Sequence, residues 1–140
     1  MTFLVMFTVY GEPVAKGRPR FSTRGKFVQT YTPEKTRTYE AEVAMMAKAA
    51  MGASKPLKGA LDAFIYLSFP IPASYSKKRS QDCLNEAIKH TKKPDADNCA
   101  KSIIDGMAGI VFDNDSQIVS LHVHKCYGEI AKSEIMIKEA

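Results

Sequence analysis

Tryptophan is absent from this chain and cysteine is scarce. Cys83, Cys99 and Cys126 are odd in number and share no CxxC-type spacing, which argues against a disulfide framework and against a zinc ribbon. Reduced thiols are expected. No apolar stretch approaches the roughly 18 residues that a membrane span needs, so no membrane partner is expected. The opening MTFLVMFTVY is apolar but has neither a basic leader nor a small-residue cleavage site. It reads as a strand rather than an export signal, and the expected setting is cytoplasmic. Repeats and low-complexity tracts are lacking too, so residues 1–140 are expected to form one domain. The most telling absence is local. Between Pro13 and Pro33 there is no acidic residue, while Lys16, Arg18, Arg20, Arg24 and Lys26 crowd the same stretch.

The charge that is present is unevenly placed. The formal net charge is +5, which permits binding to a polyanion without requiring it. Further basic clusters are Lys77, Lys78 and Arg79, and then Lys92 and Lys93. Against this background, five of the fifteen acids fall between Asp95 and Asp115. Carboxylates kept together repel one another, and a divalent cation is the usual compensation.

Periodicity predicts an α+β domain, a mixed sheet packed with two or three helices. Phe3 to Tyr10 alternate as a strand, and GEPVAKGRPRF then reads as a loop or irregular edge because of its glycines and prolines. The basic stretch from Lys16 to Lys26 is expected to continue as loop. Thr32 looks like an N-cap with Pro33 at the first helical position. Tyr39, Val43, Met46 and Ala50 follow at helical spacing, up to Gly52. Leu61, Ala63, Ile65, Leu67 and Phe69 alternate along a strand that Pro70 stops. Residues 74–93 are polar and basic, with a faint helical face at Cys83, Leu84 and Ala87. A helix is predicted from about Asp95, with Ala96, Ala100, Ile103 and Met107 as its apolar stripe. Val119, Leu121 and Val123 suggest another strand, and Glu134 to Lys138 a last one. Strand order is not readable from this pattern. Met45, Met46 and Met107 are expected to fill core.

The chemistry concentrates in KPDADNCAKSIIDGMAGIVFDNDSQI, residues 93–118. On a helix starting near Asp95, residues Asp97, Lys101 and Asp105 form a polar stripe at i, i+4 and i+8. Asp95 precedes the first turn, where its carboxylate can swing toward that of Asp97. A third acid from the Asp113–Asp115 turn would complete a hard-oxygen site suited to Mg²⁺ or Mn²⁺. Such a site can supply an activated water for phosphodiester hydrolysis. Lys101, one turn after Asp97, is placed to offset charge on the phosphoryl oxygens. A calcium loop counted from Asp95 fails, because Ala100 stands where glycine is needed and Gly106 where glutamate is needed.

With these residues in order, the sequence resembles the RusA-like family of Holliday-junction resolvases. The matching segments are GEPVAKGRPR after the first strand, YTPEKTRTYE entering a helix, PASYSKK after a strand, then residues 93–118, and Lys125 in the strand that follows. The resemblance implies a small homodimeric, Mg²⁺-dependent endodeoxyribonuclease of bacteria, phages or prophages, with Mn²⁺ as a substitute. Its substrate would be four-way or otherwise branched DNA, cut by paired symmetric nicks in recombination and repair. Carried over by position, the catalytic acids and metal ligands are Asp95, Asp97 and Asp115, and the essential lysine is Lys101. Asp105 matches a helix aspartate that touches metal through water or holds Lys101. Many members read DDSQ where this chain has Asn114-Asp115. Asp115 keeps the spacing to Gln117 and Ile118, and Asp113 is the alternative third ligand.

Plainer explanations stand beside each assignment. Asp95 and Asp97 could simply favour a helix N-terminus by capping and through the macrodipole, worth about 1 kcal/mol. Lys101 and Asp105 could be an exposed i,i+4 pair worth about 0.3–0.5 kcal/mol. Asp113 could belong to a turn that bonds nearby backbone. Lys16, Arg18, Arg20, Arg24, Lys26, Lys77, Lys78, Arg79, Lys93 and Lys125 are read as DNA contacts, although a basic loop can equally be a solvated surface. His122 and His124 share a strand face but lack a third soft ligand for zinc. Two alternatives to a junction resolvase are a non-catalytic branched-DNA-binding module and a nuclease for other DNA structures.

Overall fold

A computed structural model of the chain describes residues 3–17, 20–24, 27–31 and 33–140, with 20–24 and 27–31 described by backbone alone. The strands are β1 (Val5–Tyr10), β2 (Arg20–Arg24), β3 (Phe27–Tyr31), β4 (Leu61–Pro70), β5 (Ile118–Gly128) and β6 (Lys132–Glu139). The helices are α1 (Glu34–Met51), α2 (Lys77–Leu84) and α3 (Ala96–Met107), and a single 3-10 turn covers Asp115–Gln117. The main sheet runs β1-β6-β4-β5. Its first two pairings are antiparallel and β4–β5 is parallel. The mixed sheet with three helices is the α+β architecture expected.

Alternation decides which face of the sheet is covered. Leu61, Ala63, Ile65, Leu67 and Phe69 of β4 are all buried, as are Val5, Phe7 and Val9 of β1 and Ile135 and Ile137 of β6. They share one core with Tyr39, Val43, Ala47 and Met51 of α1 and with Cys99, Ala100, Ile103, Ile104 and Met107 of α3. The opposite face carries Met6, Tyr66, His122 and His124, all exposed. Inside the core the Tyr39 hydroxyl lies 2.5 Å from Ser133 Oγ. Burial pushes the Tyr39 pKa up to about 12, against the opposing effect of that bond.

Several sequence expectations shift. The basic stretch is not all loop, since β2 and β3 pair antiparallel with Arg24 opposite Phe27. Phe21, Thr23, Phe27, Val28 and Tyr31 are strand formers, and the surrounding charge concealed their signal. Pro33 precedes α1 with an extended ψ of 145° instead of occupying the first helical position; Thr32 lies outside the described residues. Met45 is 63% exposed rather than core filling, because the buried stripe of α1 runs through Ala47 and Met51. Val119 and Leu121 alternate as predicted, yet they are exposed because β5 is an edge strand.

The contact between α1 and α3 matters most for the site. A methyl group on Gly106 would lie 2.8 Å from Val43 Cβ and 2.9 Å from the Glu40 carbonyl oxygen. Glycine therefore allows the two helices to touch. Gly→Ala in a helix interior ordinarily gains about 1 kcal/mol. Here Gly106→Ala is expected to lose about 1–3 kcal/mol through overpacking. Urea unfolding measures this directly, and a gain in stability would contradict the close approach.

Candidate active site

Asp95 occupies the N-cap position of α3 with extended backbone, yet its side chain makes no capping hydrogen bond. Aspartate is among the residues most favoured for that bond, so the capping explanation does not account for its carboxylate. Asp97 lies in the first turn, where its Oδ1 accepts only the adjacent Asn98 N–H at 2.9 Å. Both carboxylates are exposed. Beneath them the buried Cys99 thiol is raised to about 11, chiefly by burial and further by Asp95 and Asp97. That thiol is a packing group rather than a nucleophile.

The third acid comes from the 3-10 turn, whose shape is set by Gln117. The Gln117 Oε1 accepts the Asp113 and Asn114 N–H groups at 2.9 and 3.1 Å, and its Nε2 donates to the Leu57 and Gly59 carbonyls. Asn114 Oδ1 caps the turn by accepting from Ser116 N at 2.9 Å. The two candidate acids then face different lysines. Asp113 pairs with Lys58. Asp115 lies 3.7 Å from Lys101 Nζ, on the side where α3 carries its polar stripe.

Lys101 and Asp105 form the predicted i,i+4 pair at 2.9 Å. It is no isolated surface pair. The other oxygen of Asp105 meets Lys16 Nζ at 2.9 Å, and Lys16 also binds Glu40 of α1 at 2.9 and 3.2 Å. Hydrogen bonding to Asp105 raises the Lys101 pKa. Burial works against the charge of Lys16, but its bonds to Glu40 and Asp105 raise its pKa overall. Burial also opposes the charge of Asp105, yet Lys101 and Lys16 together hold it below its usual value of 3.8.

The basic residues divide by role. Lys16 is committed to Glu40 and Asp105. Lys125 Nζ donates to the Lys92 and Pro94 carbonyls at 2.7 and 2.8 Å, bracing the strap that leads into Asp95. Arg79 lies over the Tyr75 ring at 3.8 Å, and Lys92 Nζ donates to the Tyr75 hydroxyl at 3.0 Å. Lys77, Lys78, Arg79 and Lys93 are exposed. Three of these cations occupy the first turn of α2, where the helix macrodipole disfavours positive charge. Arg18, Lys26 and the side chains of Arg20 and Arg24 lie outside the described residues. His122 stacks on Phe64 and His124 pairs with Glu86.

Among the described residues, no three carboxylate, histidine or cysteine side chains already stand close enough together to hold a metal ion. The donor chemistry of Asp95, Asp97 and Asp115 nevertheless fits a hard divalent cation. Their exposure leaves the side chains free to turn.

The sequence profile described as endodeoxyribonuclease RusA matches residues 10–138. The chain belongs to the RusA endodeoxyribonuclease family. The uncharacterized protein YqaN of Bacillus subtilis (strain 168) is 36% identical over 138 residues, covering 96% of each chain. RusA membership makes this protein a nuclease of the hydrolase class. Sequence reasoning missed two residues that shape the candidate site. Glu40 is not singled out in the sequence, although it follows the core residue Tyr39 and closes the YTPEKTRTYE segment. Gln117 served only to set spacing, while its amide organises the turn.

One consequence concerns acid. Because the Asp105 pKa is lower folded than unfolded, its stabilisation is complete above 3.8 and disappears as pH falls through the folded value. The stability gap between wild type and Asp105→Asn, read from urea unfolding, should be steady from neutral pH to about 5 and close in stronger acid. A gap that widens on acidification would contradict the pairing.

Proposed function

We infer that this chain is a Mg²⁺-dependent endodeoxyribonuclease that resolves Holliday junctions, with Mn²⁺ as a substitute cation. The observation that carries this reading is the uncommitted pair at the head of α3. Asp95 sits where a cap belongs but caps nothing, Asp97 bonds only its neighbour, and Asp115 faces the same polar stripe through Lys101. Acids left exposed without structural employment, in a chain of net charge +5, point to a ligand-binding task. Asp95, Asp97 and Asp115 are the proposed ligands. When bound, the cation supplies an activated water and offsets charge on the phosphate.

The chain's own groups do the rest. Lys101, half exposed between Asp105 and Asp115, is placed to steady the charge growing on a phosphoryl oxygen. The exposed cations of α2, and Lys93 just before Asp95, suit phosphate contact. Arg79, stacked on Tyr75, is held in place for that purpose. Paired nicks on a four-way junction require two sites, hence a homodimer. The sheet face bearing Met6 and Tyr66 offers apolar surface for a second copy.

Cleavage of a synthetic four-way junction with Mg²⁺, with EDTA, and beside a linear duplex tests the assignment. Asp95→Asn, Asp97→Asn and Asp115→Asn are each expected to abolish cleavage while keeping or tightening junction binding, since repulsion of phosphate is relieved. Asp113→Asn should cost far less. Lys101→Ala should lower turnover more than affinity. Metal-independent binding with no cleavage by the wild type would favour a branched-DNA-binding module instead, and equal cutting of the duplex would favour a general nuclease.

A further inference from the structure

Lys16 is held by both its backbone and its side chain. Its backbone N–H donates to the Asn98 carbonyl at 2.8 Å. On either side, the Val14 carbonyl accepts from Ser102 Oγ and the Gly17 N–H donates to Thr36 Oγ1. The segment is thereby fastened to both α1 and α3. The ammonium group then bridges Glu40 on one helix to Asp105 on the other, with all three side chains only 20–25% accessible.

The bridge divides the Asp105 carboxylate. Oδ2 goes to Lys16 and Oδ1 to Lys101, each at 2.9 Å. Lys101 is therefore held by one oxygen only, within 3.7 Å of Asp115. Charge makes the arrangement directional. Without Lys16, Glu40 and Asp105 would lose their shared cation, and Lys101, already bound to Asp105, is at hand to replace it. It would be drawn toward α1 and away from Asp115.

We propose that Lys16 and Glu40 are positioning residues that set where the Lys101 ammonium stands. Lys16 thus acts through Asp105 rather than on DNA. The proposal rests on the role given to Lys101 above. It asks whether placement of that lysine, and with it turnover, depends on a half-buried cation two helices share.

The test uses the full chain with Lys16→Met, Lys16→Arg and the double variant Lys16→Met/Glu40→Gln. Three readouts apply: kcat and KM on a four-way junction with Mg²⁺, junction affinity in EDTA, and the Lys101 ε-CH₂ NMR signal of the metal-free protein. That signal is assigned by its loss in Lys101→Arg. Lys16→Met should lower kcat about tenfold, as expected for a displaced catalytic group, with affinity within about twofold. It should also shift the Lys101 signal. Lys16→Arg should retain most of the activity, and adding Glu40→Gln should restore part of kcat by removing the unbalanced acid. A merely structural role predicts no such recovery. An unmoved Lys101 signal in folded Lys16→Met overturns the proposal, as does a loss of affinity matching the loss of kcat. If Lys16→Met does not fold, the charge-balanced double variant is read by the same NMR shift. Should Lys101→Ala leave kcat intact, the role of Lys101 fails, while the NMR shift still decides whether Lys16 positions it.

Discussion

Carboxylates gathered in one short segment, from Asp95 to Asp115, repel one another, and the rest of this site follows from how that repulsion is balanced. Asp105 is neutralised from both sides, by Lys16 and Lys101. Asp113 is taken up by Lys58. Asp115 is only grazed by Lys101, and Asp95 and Asp97 are left to solvent. The protein thus sorts its acids into some satisfied by its own cations and some held in reserve. The reserve is where we propose that a divalent ion binds, since a strong external charge would draw those groups together.

The sheet and helices make this sorting possible. α3 is anchored by a mainly apolar buried face, with Ser102 bonded to the Val14 carbonyl, so its opposite face is fixed in direction and presents Asp97, Lys101 and Asp105 in line. Close contact with α1 at Gly106 brings Glu40 within reach of the same polar face. The parallel pairing of β4 with β5 then places the start of β5, and the turn before it, beside α3. Asp95, Asp97 and Asp105 come from α3 and its cap, Asp115 from the turn before β5 and Glu40 from α1, so tertiary packing completes what one local segment begins.

Much of this was legible in the sequence because it is periodic. The alternation in β4, the stripe of α3 and the i,i+4 relation of Lys101 to Asp105 are local patterns that packing later confirmed. The non-local features were hidden. Lys16 read as one of several phosphate-binding cations, since nothing in its neighbourhood shows that Glu40 and Asp105 arrive from two helices. Lys125 read the same way, while its ammonium braces the backbone before Asp95. The β2–β3 hairpin was masked by charge. The strand order, with β6 between β1 and β4, follows from pairings that no local spacing encodes.

The account stands on three exposed aspartates sharing one cation. The most direct measurement is Mn²⁺ binding to the metal-free protein, followed by electron paramagnetic resonance as the free-ion signal is lost. Wild type should take up Mn²⁺ stoichiometrically per chain, and Asp97→Asn should bind it at least about tenfold more weakly. Equal uptake by wild type and by Asp95→Asn, Asp97→Asn and Asp115→Asn variants would show that these carboxylates do not form the site.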